Sequence, residues 1–364
     1  MTLYTALVRP LLFRLDAKAV HRASIATASA MGWSHSLVAA LCAPRDPRLA
    51  TTLGGLALAS PVGLAAGYDK SGEAVRFLAS LGFGFVEIGS VSADPSRGNP
   101  RPRLWRLPLD KAIVVHYGLP NDGAAAVARR LAGGRFAVPL GINIVKTNRG
   151  MSAAPDSDDA VIADYVRSTK LLMNVATYLT FNLSCPNTET GRDFFADRAH
   201  VARLLAALEP LDLRRPVFLK ISPLGGVAHI EDVLEAAEPF GFVSGFVFNL
   251  PSTKPETLKT AREVWRDWPG AVSGPPVAAL IDTCIAETWR RMDTDRFQIV
   301  GAGGIFSGED AYRKIRLGAS AVQVLTALVY RGPGVVARIN RELGRLLARD
   351  GVARVGDAVG VGNA

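Results

Sequence analysis

Residues 297–328 read FQIVGAGGIFSGEDAYRKIRLGASAVQVLTAL, and the fold class follows from this pattern. It opens with the apolar run Phe297–Gly304, continues through the amphipathic segment Glu309–Leu317, and closes with a second apolar run, Ala321–Leu328. A continuous apolar run predicts a strand that is buried on both faces, and a helix between two such strands predicts a parallel pair. The stretch therefore predicts an α/β protein with a parallel sheet.

Six similar apolar runs precede this unit: Pro61–Gly67, Phe83–Ser90, Pro139–Val145, Tyr178–Ser184, Pro216–Pro223 and Gly245–Leu250. Amphipathic segments separate several of them, namely Gly72–Leu81, Gly123–Leu131 and Asp159–Val175. Eight strand–helix units predict a (β/α)₈ TIM barrel. A doubly wound sheet is the rival, but no GxGxxG motif follows the first strand. The connection Ser92–Val115 is too long for an ordinary βα loop, so we expect it to serve function.

Composition excludes several classes of protein. The 364 residues include 42 basic and 33 acidic side chains, a net charge of +9, and 49% apolar residues, which excludes a disordered, collagen-like or coiled-coil chain. The three cysteines suit a reducing compartment and are too few for a disulfide framework or a four-cysteine zinc site. The histidines lack metal-ligand spacing, and no Lys/Arg tract is interleaved with aromatics, so we expect neither a metal nor a nucleic acid partner.

The first 45 residues form a segment of their own. Apolar residues recur every three or four positions, and basic residues fall on the other face, from Arg9 to Arg22. Such a helix can lie on an anionic bilayer or pack on its own domain, and the pattern leaves both open. No uninterrupted apolar run reaches the ~18 residues of a spanning helix. We predict an amphipathic helical extension (1–45), a barrel (46–350) and a C-terminal tail (351–364).

Polar residues cluster where the predicted strands end. In a barrel, the C-terminal ends of the strands meet at one mouth, where catalytic groups lie. Lysine inside an apolar strand is costly to bury unpaired, so several polar residues at equivalent positions favour an anion-binding site over isolated structural ion pairs. The residues concerned are Gly67, Lys70, Asn143, Asn182, Asn187, Lys220 and Asn249.

Two further features of the strand ends point to chemistry. Gly303 and Gly304, with Thr326 after the last strand, predict a phosphate site, because glycines let backbone N–H groups approach the anion. Cys185 follows the fourth strand and is either a buried small side chain or a general base in an electropositive setting.

These residues lie in motifs that resemble the dihydroorotate dehydrogenase family over nearly the whole chain. The motifs are GLAAGYDKSGEA, GFGFVEIGSVSADPSRGNPRPRLWRLP, LGINIVK, NLSCPNT, FLKISP and IVGAGGIFSGEDAYRKIRLGASAVQV. The N-terminal YTALVRPLLFRLDAKAVHRAS is similar to the helical extension of the membrane-associated, quinone-linked class 2. The resemblance implies a barrel that carries FMN, oxidises dihydroorotate to orotate in pyrimidine synthesis, and passes electrons to a quinone at the cytoplasmic side of the cell membrane.

The resemblance also implies roles for individual residues. Cys185 is the expected base, which removes a proton from C5 of the substrate, and Lys220 lies near the flavin N1–C2 edge. His21 and Arg106 match positions that line the quinone site. The substrate contacts are Lys70, Asn182, Asn187 and Asn249. The FMN contacts are Ala66, Gly67, Lys70, Ser90, Asn143, Asn182, Lys220, Gly274, Gly303, Gly304 and Thr326.

The chain departs from the class 2 pattern at several positions. Class 2 enzymes usually carry Ser where Cys185 stands, and Cys at this position is typical of soluble class 1. The sequence of Gly118–Asn121 is also typical of class 1. Val115 replaces a substrate-binding Asn, Leu250 replaces a Ser or Thr, and Leu325 replaces a common Tyr. Each buried group of a polar substrate left unpaired costs on the order of 1–3 kcal/mol.

Three hypotheses about function follow from this pattern. The retained lysine and asparagines support a dihydroorotate dehydrogenase. Val115 and Leu250 support a paralogue that oxidises a less polar compound. A flavin-binding protein without catalytic activity is the third, and the cysteine and phosphate loop argue against it.

Overall fold

The computed structural model describes residues 2–150, 153–184 and 194–363. Within these residues, eight parallel strands close into a barrel in the order β10-β12-β13-β3-β4-β7-β8-β9, which confirms the predicted TIM barrel. The strands are β1 (Thr51–Leu53), β2 (Leu56–Leu58), β3 (Val62–Leu64), β4 (Phe85–Val91), β5 (Leu104–Leu107), β6 (Ala112–Val115), β7 (Leu140–Ile144), β8 (Tyr178–Asn182), β9 (Val217–Ile221), β10 (Val243–Phe248), β11 (Ala271–Ser273), β12 (Gln298–Gly301) and β13 (Ala319–Val324).

Helices surround the barrel and precede it. Side-chain caps start several of them: Ser157 accepts a hydrogen bond from the Ala160 amide, and Ser307 accepts one from the Asp310 amide. The α-helices are α1 (Arg9–Leu12), α2 (Ala17–Ala30), α3 (His35–Cys42), α4 (Val75–Ala79), α5 (Ala124–Leu131), α6 (Asp158–Leu172), α7 (Arg198–Leu208), α8 (Gly226–Ala237), α9 (Arg262–Trp265), α10 (Ala278–Trp289), α11 (Gly308–Arg316), α12 (Thr326–Arg331) and α13 (Val335–Arg349). The last apolar run of the sequence is thus divided, because β13 ends at Val324 and α12 begins at Thr326.

A hairpin closes the N-terminal end of the barrel. Strands β1 and β2 pair antiparallel around Gly54 and Gly55, which both have positive φ (54° and 78°) as a tight hairpin turn requires. Leu53 and Leu58 pack with barrel side chains such as Phe218, so this end holds a packed apolar layer. The chemistry is therefore confined to the opposite mouth.

The long connection after β4 forms a sheet of its own. Strands β5 and β6 lie within Ser92–Val115 and pair antiparallel, and β11 joins them from a distant part of the chain. Trp105 stacks on Trp268 with ring centroids 5.3 Å apart, in the apolar cluster under this sheet. The sheet brings Arg106 and Val115 to the mouth of the barrel.

The N-terminal extension lies against the barrel mouth. Helix α2 buries Ile25 and Ala28, while Leu3, Leu11, Trp33 and other apolar side chains stay exposed. By length and composition alone, Ala17–Cys42 meets the minimum for a helix that could cross a membrane, with a mean hydropathy of 1.2. A search of the sequence for uninterrupted apolar runs does not find this segment, because charged residues interrupt it near its start. A 3₁₀ turn at Met31–Ser34 separates α2 from α3.

Candidate active site

One cavity of about 950 Å³ joins the barrel mouth to the helical extension. Its floor and sides come from the C-terminal ends of the barrel strands, and its outer wall comes from α1 and α2. Of the predicted site residues, thirteen line it: His21, Ala66, Gly67, Lys70, Ser90, Arg106, Asn182, Lys220, Asn249, Gly274, Gly303, Gly304 and Thr326. Cys185 and Asn187 lie outside the described residues. The structure therefore brings into one chamber the residues that the sequence distributed over several strand ends.

Three glycines form a cradle on one side of this cavity. Gly274, Gly303 and Gly304 have φ of 108°, 76° and 77°, conformations that favour glycine. A Cβ on Gly304 would lie 2.5 Å from the Ala278 Cβ, so a side chain does not fit there. Beside the cradle, the hydroxyls of Ser273 and Thr326 lie 2.9 Å apart. Bare backbone next to two hydroxyls suits a phosphate group.

A chain of hydrogen bonds links four polar side chains at the centre of the mouth. Asn249 Nδ2 donates to Asn182 Oδ1 at 2.9 Å, and Asn182 Nδ2 donates to Ser90 Oγ at 3.2 Å. Ser90 Oγ in turn donates to Asn143 Oδ1. Asn143 is fully buried, one hydrogen bond behind the cavity wall. These side chains come from β4, β7, β8 and the end of β10, so the closed barrel is what aligns them.

The carboxylate of Glu87, inside the barrel, sets the direction of this chain. Asn143 Nδ2 donates to Glu87 Oε1 at 3.0 Å, while Tyr178, Thr180 and Gln323 donate to Oε2 at 3.1, 3.0 and 2.9 Å. A carboxylate only accepts, so each amide must turn its NH₂ group towards it. Asn143 therefore presents its carbonyl oxygen to Ser90, and the orientations of Asn182 and Asn249 follow.

Lys70 lies half-buried at the edge of the cavity. Its Nζ donates to the Gly67 carbonyl at 2.7 Å and lies 4.0 Å from the centroid of the Tyr117 ring. Burial, with a smaller contribution from the Arg103 charge, lowers the pKa of Lys70 to about 7, and Asp69 opposes part of this shift. The Asp69 carboxylate itself accepts hydrogen bonds from the Glu73 and Ala74 amides. Lys70 can thus bind an anion as an ammonium group near neutral pH.

The outer part of the cavity is apolar with a few polar groups. His21, on α2, contacts the barrel through both ring nitrogens, at Tyr117 and at the Tyr68 carbonyl. Arg106 Nη1 donates to the Leu15 carbonyl at 3.0 Å, and its guanidinium lies 4.7 Å from the Phe13 ring. Arg106 therefore ties the extension to the inserted sheet as well as lining the cavity.

Three of the positions that depart from the class 2 pattern face this cavity. Val115, Leu250 and Leu325 are on its wall, and the Leu250 amide donates to Asn249 Oδ1 at 2.9 Å. Apolar side chains thus stand close to the amide chain that would bind a polar ligand.

Sequence reasoning missed four residues that the site uses: Glu87, Tyr117, Ser273 and Gln323. A glutamate within the apolar run Phe83–Ser90 was a usable signal, since a carboxylate in a doubly buried strand must have several donors. Gln323, inside the apolar run Ala321–Leu328, gave a similar signal, whereas Tyr117 gave none because its partners come from other elements.

Comparison with known proteins agrees with this arrangement. The family model described as dihydroorotate dehydrogenase matches residues 48–347. The chain is 41% identical over 364 residues to the dihydroorotate dehydrogenase (quinone) of Sphingopyxis alaskensis, covering 98% of this chain and 96% of that protein. It is 40% identical over 371 residues to the same enzyme of Deinococcus deserti, covering 98% and 99% of the two chains.

Solved structures give the same result. The crystal structure of the Eimeria tenella enzyme DHODH in complex with ferulenol aligns with a TM-score of 0.78 and 32% identity, covering 90% of this chain and 94% of that one. The ligand-free structure from the same organism aligns with a TM-score of 0.79 and 31% identity, covering 91% and 99%. The chain therefore belongs to the dihydroorotate dehydrogenase family of flavoenzymes.

Proposed function

We propose that this protein is an FMN-dependent dihydroorotate dehydrogenase that oxidises dihydroorotate to orotate and passes the electrons to a quinone. The observation that carries the proposal is the single cavity that joins a phosphate cradle and an amide-lined floor to an apolar chamber under the N-terminal helices. A cofactor bound in such a cavity has a polar substrate on one side and an apolar acceptor within reach.

The described residues fit FMN. Gly274, Gly303, Gly304 and Thr326 would hold the phosphate, and the cavity volume lies at the upper end of the ~300–1,000 Å³ usual for ligand pockets, so it has room for a second molecule. Ser90, Asn182 and Lys220, with the backbone at Ala66 and Gly67, would surround the ring, and Asn143 would support Ser90 from behind the cavity wall. When bound, FMN supplies an acceptor for a hydride equivalent and can pass the electrons on.

The chain's own residues bind and orient the substrate. The Lys70 ammonium would pair with the substrate carboxylate, and the amides of Asn182 and Asn249 would bind the ring imide, together with Asn187. Because the hydrogen-bond chain from Glu87 fixes each amide, the pocket presents a defined pattern of donors and acceptors. Cys185, which follows β8 in sequence, would accept the C5 proton as a general base.

The extension would bind the quinone and contact the membrane. His21 and Arg106 supply polar groups in an otherwise apolar chamber. Leu3, Leu11, Trp33 and Leu41 are 62–82% exposed, in a segment whose net charge is positive. We propose that residues 1–45 lie peripherally on the cytoplasmic side of the cell membrane, that 46–350 form the catalytic barrel, and that 351–364 form a tail.

Anaerobic reduction tests the proposal. The purified yellow protein is mixed with L-dihydroorotate, and the visible flavin band is followed; rapid, complete bleaching is expected, followed by recovery on addition of a short-chain ubiquinone. A protein that carries no flavin would overturn the proposal.

A second function, oxidation of a less polar compound by a paralogue, is favoured by Val115 and Leu250 on the cavity wall. In that case L-dihydroorotate leaves the flavin oxidised while dithionite still reduces it. The double variant Val115→Asn, Leu250→Thr would then gain bleaching by L-dihydroorotate, since it restores the two missing polar groups.

A further inference from the structure

Gln323 has one side-chain atom whose environment neither the fold nor the proposed roles explain. The residue is on β13 and is 3% exposed, and it lines the cavity. Its Oε1 atom is buried and has no hydrogen-bond partner among the described residues. A buried acceptor left unpaired costs on the order of 1–3 kcal/mol, so such an atom calls for a partner that a ligand supplies.

The orientation of this amide is fixed by its other end. Gln323 Nε2 donates to Glu87 Oε2 at 2.9 Å, and a flipped amide would place two oxygens against each other. Glu87 in turn is held by Asn143, Tyr178 and Thr180. The carbonyl oxygen of Gln323 is therefore held in a fixed orientation, as an unpaired acceptor of a residue that lines the cavity, before any ligand binds.

The position of Gln323 indicates which ligand it would meet. It lies three residues before Thr326 on the strand that leads to the phosphate cradle, and its neighbour in β3 is Gly63, two residues before the cavity-lining Ala65. A flavin whose phosphate were held at Gly303, Gly304 and Thr326 would have room to extend through the cavity that Gln323 also lines.

We infer that Gln323 is a cofactor-binding residue, whose Oε1 atom accepts a hydrogen bond from a neutral donor of the flavin, either a ribityl hydroxyl or the ring N–H. Glu87 is the positioning residue that holds this oxygen in place. The inference rests on the proposed flavin cofactor and adds one contact to it, from Gln323 on the barrel strand β13.

A matched pair of variants distinguishes the effect of losing the Gln323 acceptor from the effect of disturbing the Glu87 carboxylate. Gln323→Met removes the acceptor and one donor to Glu87, whereas Thr180→Val removes one donor to Glu87 at a residue that does not line the cavity. Each holoenzyme is diluted, and the fluorescence of released FMN gives its dissociation constant. We expect Gln323→Met to weaken FMN binding about tenfold relative to Thr180→Val, as the loss of one hydrogen bond to a buried acceptor implies.

Other outcomes of this experiment are also decisive. Equal FMN dissociation constants for the two variants would overturn the inference, since the effect would then arise from Glu87 alone. If Gln323→Met does not fold, Gln323→Ser gives the same comparison. A shifted reduction potential and visible spectrum identify the ring N–H as the partner, and unchanged values identify a ribityl hydroxyl. A wild-type protein without flavin would overturn the proposed function itself.

Discussion

His21 Nδ1 lies 3.0 Å from the phenol oxygen of Tyr117, so a residue of the N-terminal extension is bonded directly to the barrel mouth. His21 Nε2 lies 2.8 Å from the Tyr68 carbonyl, which can only accept. Nε2 therefore carries the proton, and Nδ1 accepts from Tyr117. The same Tyr117 ring lies beneath the Lys70 ammonium. One tyrosine thus contacts both the extension and the substrate side of the cavity.

This arrangement predicts a specific loss of stability in acid. Burial, with a smaller contribution from the Lys70 charge, lowers the pKa of His21 from 6.5 to about 3. The unfolded chain then binds one more proton than the folded protein between pH 6.5 and 3, so the stabilisation is complete above pH 6.5 and is lost as the pH falls. Between pH 6.5 and 5 we expect a loss on the order of 1–2 kcal/mol in the free energy of unfolding.

Urea denaturation of wild type and His21→Gln at both pH values measures this loss. The variant should lack the acid-dependent component, and His35→Gln, a histidine of the same extension at the start of α3, should follow the wild type. If the free energy of unfolding of His21→Gln falls between the two pH values as much as that of the wild type, the acid-dependent loss arises from another residue.

Lys70 predicts a pH dependence of ligand binding. With a pKa of about 7, its side chain is an ammonium group below pH 7 and a neutral amine above it. Attraction for an anionic ligand is therefore lost as the pH rises. We expect the affinity for orotate, followed through the flavin spectrum, to fall on the order of tenfold between pH 6.5 and 8.5. Lys70→Met should bind weakly at both pH values; pH-independent binding by the wild type would contradict this role.

The glycine cradle predicts a selective loss of cofactor. Gly304→Ala places a Cβ 2.5 Å from the Ala278 Cβ at a φ of 77°, so the backbone must shift away from the phosphate position. We expect FMN affinity to fall at least about tenfold. Gly133→Ala is the control, because Gly133 has a φ of 69° but a Cβ there meets nothing within 4 Å.

The control should lose about 1–2 kcal/mol of stability from the left-handed backbone alone and keep its FMN. FMN content is measured from the visible absorbance of the purified proteins. Similar FMN loss in both variants would mean that backbone strain, not the cradle, controls binding.

If Cys185 is the general base, its removal should slow flavin reduction by substrate without affecting FMN binding. Cys185→Ala should retain FMN and lose about 10²–10⁴-fold in the rate of flavin reduction by substrate, the usual contribution of a general base. Stopped-flow absorbance under anaerobic conditions measures that rate. Cys42→Ala, a half-buried cysteine in α3, should leave it unchanged. Full-rate reduction by Cys185→Ala would exclude this thiol as the base.

The barrel could be predicted from the sequence because each barrel strand coincides with an apolar run of its own residues. An apolar run such as Phe83–Ser90 can be buried on both faces only in a parallel sheet, whatever lies elsewhere in the chain. The antiparallel insert was missed for the opposite reason. Strand β11 has three residues, and its partners in β6 precede it by more than 150 positions, so no local pattern indicates the pairing.

The same division holds at the site. The local pattern is enough to predict that lysines and asparagines such as Lys70, Asn182 and Asn249 end the strands and meet at one mouth, since parallel strands have their carboxyl ends at one edge. How these side chains act together depends on contacts between distant parts of the chain. Glu87 orients amides from other strands because barrel closure places their donors within hydrogen-bond distance, and burial sets the pKa of Lys70 because the extension and Tyr117 cover it.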